Sequence, residues 1–172
     1  MEIVNIVQSV TLDCTFNLTD IIRKFEGECE LPAHFNALNI RLKEKSFCQI
    51  FPNGKCIING IKTMEESNKL VSTYQETLKG MGYSANIVSS QVANIIATYN
   101  HGKRVPLFKI AQKNRLWFEP EIFPAARVRM EDLKITVNIF HSGKCMILGA
   151  KSESLLTECV RCLRKLLESV QF

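Results

Sequence analysis

The sequence predicts an α+β fold, one continuous antiparallel sheet built from two similar halves with helices on one face. Three observations carry this. The stretch "IFPNGKCIINGIK" (Ile50–Lys62) returns as "IFHSGKCMILGAK" (Ile139–Lys151), with Phe51 and Phe140, Gly54 and Gly143, Lys55 and Lys144, and Lys62 and Lys151 each 89 residues apart. Around these stretches apolar residues recur with period two, as on half-buried strands. Each half closes on an apolar stripe at helical spacing, and no Pro-, Gly- or Ser-rich linker lies between the halves. The expected organisation is a first repeat over residues 1–88 and a second over 89–172, forming one continuous domain.

Each half opens on a run rich in β-branched residues, "EIVNIVQSVTLD" from Glu2 and "NIVSSQVANIIATYN" from Asn86, and both read as strands. A short helix follows in the first half, with Asn17 as cap and Leu18, Ile21, Ile22 and Phe25 as its stripe; in the second half Pro106 suits a first helical turn. In "FNALNIRLK" Leu38, Ile40 and Leu42 point one way, and Phe35, Ala37, Asn39 and Arg41 the other. Strands Ser46–Pro52 and Lys55–Gly60 are joined by "PNG", and strands Leu133–His141 and Lys144–Gly149 by "HSG". The closing helices carry Leu70, Tyr74, Leu78 and Met81 in the first half, and Leu155, Cys159, Leu163, Leu166 and Val170 in the second.

Composition narrows the function classes. Hydrophobic residues make up 46% of the chain, no apolar run approaches the roughly 20 residues of a membrane helix, and "MEIVNIVQSV" lacks the features of an export signal. A soluble intracellular protein without a membrane partner is expected. Seven cysteines, an odd number, point to reduced thiols. The one CxxC, Cys159 and Cys162, has no second ligand pair and reads as core, so no metal and no cofactor are assigned. The first 88 residues hold 9 Lys+Arg against 10 Asp+Glu and the rest 13 against 7, which suits an anionic partner for the second half. Three scattered histidines and "NGK" and "SGK" turns without P-loop spacing leave no catalytic set and no small-molecule substrate. The protein is not expected to be an enzyme.

Alternation leaves one face of the sheet uncovered by helices. It carries Asn5, Val7, Phe35, Asn39, Arg41, Phe47, Gln49, Phe51, Lys55, Ile57 and Asn59, then Asn94, Ile96, Phe123, Arg127, Arg129, Asn138, Phe140, Lys144 and Met146. Exposed aromatics, amides and cations on one face mark a binding surface. The alternatives are phenylalanines tucked under loops or a dimer interface.

The repeated glycine–lysine turn segments, "FEPEIFPAARVRM" (Phe118–Met130) and the matching "NIV" and "NII" of the opening strands resemble the TATA-box-binding protein family over about residues 3–170. The resemblance implies a saddle of two pseudo-symmetric repeats whose concave sheet binds and strongly kinks double-stranded DNA from the minor groove; the kink belongs to the family's known behaviour and not to any spacing. It implies kinking wedges at Phe35 with Phe51 and Phe123 with Phe140. Central groove contacts would come from Asn5 and Asn94, with Val7, Gln49, Ile57, Asn59, Ile96, Asn138 and Met146 around them. Phosphate contacts would come from Arg41, Lys55, Lys62, Arg129, Lys144 and Lys151. Glu119 and Glu121 match the acidic stirrup presented to general transcription factor IIB.

The implied function is that of a general transcription initiation factor that binds and kinks promoter DNA and recruits a factor IIB-like protein. Asn39, Gln49 and Asn59 in the first half, with Arg127, Asn138 and Leu148 in the second, depart from the family's concave face and imply a relaxed or altered TATA preference, the carbonyl oxygens of Gln49 and Asn138 accepting from guanine N2. The helix "MEESNKLVSTYQETLKG" lacks the family's basic run, which leaves a factor IIA-like partner open. The alternative function is a protein-interaction factor that sequesters or replaces transcription factors without specific promoter binding. The implied location is the nucleus, or a cytoplasmic factory if the chain is virus-encoded.

Overall fold

Alternation and capping together set the elements of the computed structural model, which describes residues 1–43 and 46–170. Two compact units emerge: Asn5–Ala93, and Met1–Val4 together with Asn94 onward. In the Asn5–Ala93 unit, β1 (Glu2–Leu12, from Asn5 on), β2 (Glu28–Glu30), β3 (Leu38–Lys43), β4 (Ser46–Ile50) and β5 (Lys55–Ile61) run in the order β2-β3-β4-β5-β1, every pair antiparallel. Ile6, Val10, Leu38, Ile40, Cys48, Ile50 and Ile58 alternate onto the buried side. Helix α1 (Leu18–Lys24) starts where the Asn17 side chain accepts from the Asp20 N–H, and α2 (Met64–Gly80) where Thr63 accepts from the Glu66 N–H. Helix α2 packs on β5 and buries Leu70, Val71, Tyr74 and Leu78.

The unit from Asn94 onward repeats the plan. The C-terminal part of β6 (Ile87–Asn100), β9 (Lys144–Ala150), β8 (Ile135–Phe140) and β7 (Ala125–Met130) lie in that order, all antiparallel. Helix α3 (Leu107–Asn114) follows Pro106, and α4 (Glu153–Glu168) begins at Ser152, whose hydroxyl accepts from the Leu155 N–H. Both tight turns need glycine: Gly54 and Gly143 have φ of 89° and 87°, and a Cβ would strike the Cys14 and Lys103 carbonyl oxygens respectively.

Five expectations are corrected. The strand expected from Phe35 begins at Leu38, because the Phe35 N–H bonds to the Pro32 carbonyl and the Ala37 N–H to the Phe35 carbonyl in a turn. Ala37 is therefore buried and does not share the side of Phe35. The strand expected from Leu133 begins at Ile135, since Glu131–Leu133 close a 3-10 turn that Lys134 ends at φ 55°. Ile22, placed in the apolar stripe of α1, is exposed, while Leu18 and Ile21 are buried. On α4 the buried face is Leu156, Cys159, Val160, Leu163 and Leu167; Leu155 and Leu166 flank it, and Val170 lies past the helix.

Within the Asn5–Ala93 unit, the Asp13 carboxylate accepts from the Ser84 hydroxyl, the Asn86 N–H and the Asn86 amide, each at 2.8 Å, and ties the segment after α2 to the end of β1. These bonds, those of Asn86 and Ser84 foremost, hold its pKa below the ordinary carboxylate value. A depressed folded pKa stabilises above the unfolded value, about 3.9, and that stabilisation is lost as pH falls through the folded one. Asp13→Asn is expected to lower the melting temperature at neutral pH and to weaken its fall on acidification, as followed by circular dichroism. No described helix is long and apolar enough to cross a membrane.

Candidate nucleic-acid interface

Strand register places the uncovered faces residue by residue, because directly paired residues in an antiparallel ladder share a side. In the Asn5–Ala93 unit Asn39 pairs with Gln49, Gln49 with Ile57, Phe47 with Asn59, and Ile57 with Ser9. Asn5, Val7, Gln49, Ile57 and Asn59 are all half-buried on this side. In the other unit Arg127 pairs with Asn138, Arg129 with Thr136, Asn138 with Met146, Met146 with Thr98, and Leu148 with Ile96. Each unit therefore presents a face of amides, apolar side chains and cations, and Ser9, Thr98 and Thr136 join faces on which the sequence pattern had not marked them.

The asparagines stand on a repeated backbone device. The β1–β5 register slips between Ile6 and Gln8, and the β6–β9 register between Ile95 and Ile96, each slip placing an extra residue on the glycine-bearing strand. A bulge of this kind leaves a backbone N–H out of the ladder. Here the spare donors are Gly60 N–H, which bonds to Asn5 Oδ1 at 3.0 Å, and Gly149 N–H, which bonds to Asn94 Oδ1 at 2.9 Å. With its oxygen occupied, each amide presents its NH2 group. Gly60 and Gly149 thus orient the two asparagines; the glycine two residues before Lys62 and Lys151 was the sequence signal, since a glycine inside a strand marks a bulge.

The aromatic pairs form within each unit. Phe35 and Phe51 meet edge to face with ring centroids 5.6 Å apart, and Phe123 and Phe140 at 6.1 Å. Phe35 is 48% exposed, and the other three are half-buried. The guanidinium of Arg127 lies 5.1 Å from the ring centroid of Trp117 and 5.8 Å from that of Phe123, while its Nε donates to Asn138 Oδ1 at 3.4 Å. Trp117 escaped the sequence pattern because it reaches the sheet through a single bridge to Arg127, outside any strand.

Lys55, Lys62, Lys144 and Lys151 are exposed. The two arginines of the phosphate set meet carboxylates: Arg41 Nε is 3.1 Å from Glu28, and Arg129 Nε is 3.7 Å from Glu131 while its Nη1 donates to the Thr136 hydroxyl. Glu119 and Glu121 lie exposed in the turn before β7, where Glu119 accepts from the Trp117 indole at 3.2 Å.

A family model described as "Transcription factor TFIID (or TATA-binding protein, TBP)" matches residues 1–81 and again 89–170. The chain belongs to the TATA-box-binding protein family.

Among its relatives are a TATA-box-binding protein-like 1 of Entamoeba histolytica, 32% identical over 96% of this chain and 78% of that protein, and a TATA-box-binding protein of Acetabularia peniculus, 28% identical over 89% and 82%. The solved TBP of Methanococcus jannaschii superposes with a TM-score of 0.87 at 30% identity, over 98% of each chain. The fold is thus the α+β fold of TATA-box-binding proteins, whose members are non-enzymatic DNA-binding transcription factors, and the chain's role is that of a TATA-box-binding transcription factor. Of the seven cysteines, Cys48, Cys56, Cys145 and Cys159 are buried, and Cys14, Cys29 and Cys162 are half-buried. Burial first, then the neighbouring thiol, pushes Cys145 up to about 12, and burial first, then Cys162, pushes Cys159 up to about 11. Among the described residues no cluster of His, Cys, Asp and Glu could hold a metal ion.

Proposed function

We propose that this family member binds promoter DNA in the minor groove through the open face of each unit, kinks it with the Phe35–Phe51 and Phe123–Phe140 pairs, and recruits a factor IIB-like protein at Glu119 and Glu121. The observation that carries the groove assignment is the repeated Asn–Gly bond. Adenine N3 and thymine O2 are acceptors, and they are all that A·T pairs show in the minor groove. Two amides held with their NH2 groups outward are matched donors. A phosphate-bound surface without such donors would position DNA and read nothing.

The preference for TATA is altered unevenly. Both Gln49 and Asn138 were expected to offer a carbonyl oxygen to the guanine N2 amino group. Asn138 is only 6% exposed and its oxygen already accepts from Arg127, so its amide is left to donate and favours A·T. Tolerance of G·C is then confined to the contacts of Gln49 and its neighbour Asn59. The site of action is the nucleus, or the viral factory for a virus-encoded chain.

Charge gives the second half the stronger hold on phosphate, with 13 Lys+Arg against 7 Asp+Glu from residue 89 on. Neutralising Arg129, Lys144 and Lys151 together is expected to flatten the salt dependence of binding more than neutralising Arg41, Lys55 and Lys62, as read by fluorescence anisotropy across a salt series. Equal losses from the two triple variants would count against it.

Selection of bound duplexes from a random pool, with and without a purified factor IIB-like protein, tests the function as a whole. Enrichment of A·T-rich duplexes, sharpened by the added protein, is expected. Capture of the added protein with no duplex enriched in either arm would overturn promoter binding in favour of sequestration.

A further inference from the structure

One rung of paired residues differs between the two units. From Asn94 onward it runs Arg127, Asn138, Met146, Thr98, and in the Asn5–Ala93 unit it runs Asn39, Gln49, Ile57, Ser9. The two rungs correspond, since Gln49 and Asn138, Ile57 and Met146, and Ser9 and Thr98 are each 89 residues apart. The outer position is thus an exposed cation in one unit and a half-buried neutral amide in the other. Arg127 is held firmly there. Its backbone N–H donates to the Trp117 carbonyl at 2.9 Å, its guanidinium lies 5.1 Å from the Trp117 ring centroid and 5.8 Å from that of Phe123, and its Nε donates to Asn138 Oδ1 at 3.4 Å. Among the described residues it meets no carboxylate at ion-pair distance.

A guanidinium has five N–H donors and no acceptor. With Nε given to Asn138, the four N–H groups of Nη1 and Nη2 remain to donate. A·T pairs show only acceptors in the minor groove, whereas G·C adds the guanine N2 amino donor. A fixed set of donors is therefore satisfied by the first and opposed by the second. A·T tracts also narrow the groove and deepen its negative potential, which draws arginine in. The Trp117 and Phe123 rings attract the cation through their faces and leave its donors unspent. Held in this way, the side chain gives up little rotamer freedom on binding.

Building on the minor-groove binding proposed above, we infer that Arg127 is a specificity-determining residue that enters the groove beside the Phe123–Phe140 pair and demands A·T pairs there. Asn39, an amide with both donor and acceptor, makes no such demand. The unit from Asn94 onward then takes the A·T-richer half of an asymmetric site, and the Asn5–Ala93 unit takes the half that carries G·C. Arg127 thereby sets the direction in which the protein sits on DNA.

Competition of three duplexes against a labelled A·T site, read by anisotropy with the whole chain, tests this. One duplex is A·T throughout, one carries a G·C pair at the outer step of one half, and one carries it in both halves. For the parent, G·C in one half is expected to cost no more than about threefold, because the protein turns round, and G·C in both halves about tenfold or more. Arg127→Gln is expected to bring the cost in both halves down to about threefold or less. The same exchange in an Asn138→Leu background separates direct reading from the release of Asn138 Oδ1, and there too Arg127→Gln is expected to lower the cost at least about threefold. A cost unchanged by Arg127→Gln in the parent, or unchanged by it once Asn138 is leucine, overturns the inference while leaving DNA binding in place. So does a one-half cost equal to the cost in both halves, a comparison that needs the parent alone. Failure of the parent to bind even the A·T duplex overturns the binding reading beneath it.

Discussion

Alanine at both Phe123 and Phe140 is expected to remove most of the bend proposed for a bound duplex. The two rings meet edge to face at 6.1 Å, half-buried at the sheet end, and neither belongs to the core. Phe140 closes β8 just before the Gly143 turn, and Phe123 is held by its N–H bond to the Glu119 carbonyl at 2.9 Å and by the Arg127 guanidinium over its ring. Opening a base step costs a few kcal/mol, offset when a flat apolar ring fills the gap. Methyl groups cannot fill it. Burying a phenylalanine ring is worth about 1.5–3 kcal/mol, so losing two is expected to weaken binding on the order of a hundredfold or more. End-to-end energy transfer across a short duplex should return to the value of free DNA, and an unchanged bend would sink the wedge assignment. The fold should survive, with melting unchanged to within a few degrees.

The second large effect is expected from Asn5→Asp with Asn94→Asp. Each carboxylate can still accept from the Gly60 or Gly149 N–H, so the bulges keep their geometry. The outward donor, however, is replaced by a negatively charged acceptor facing the acceptors of A·T pairs. Good base-edge contacts are worth about 1–3 kcal/mol each, and losing both should cost at least about a hundredfold in affinity, with each single variant near tenfold. Binding by the double aspartate variant at the parent's affinity would show that these amides do not read the groove. Alanine at the same positions is the less informative change, because it also strands the glycine N–H groups.

Much of this was legible in the residues. The 89-residue repeat and the alternation through Leu38–Leu42 and Ser46–Ile50 gave the strands and their faces, because period-two burial leaves a direct trace in composition. What alternation could not give was the point at which each strand starts. Phe35 and Leu133 fit the pattern, yet local turns hold both outside the sheet, and turn hydrogen bonds leave no periodic signature. Nor could spacing show which partner a polar group takes. Asn138 and Gln49 occupy the same repeat position, but only Asn138 has an arginine paired beside it that occupies its oxygen. Glu28 was unmarked for the same reason: β2 is three residues long and alternates too briefly to read, and only its pairing with β3 shows the carboxylate beside Arg41. The orienting role of Gly60 and Gly149 emerges from the register slips, which depend on pairing rather than on either strand alone.

The central claim is that two outward amide donors read minor-groove acceptors, and replacing A·T pairs by inosine·cytosine tests it most directly. Inosine lacks the guanine N2 amino group, so an inosine·cytosine pair resembles A·T in the minor groove and G·C in the major groove. Competition among three otherwise identical duplexes, with A·T, inosine·cytosine or G·C pairs at the centre, gives the ranking. Groove reading by Asn5 and Asn94 predicts that the inosine duplex competes within about threefold of the A·T duplex, and that the G·C duplex falls behind by about tenfold or more. An inosine duplex that competes as poorly as the G·C duplex would place the reading in the major groove and contradict the account.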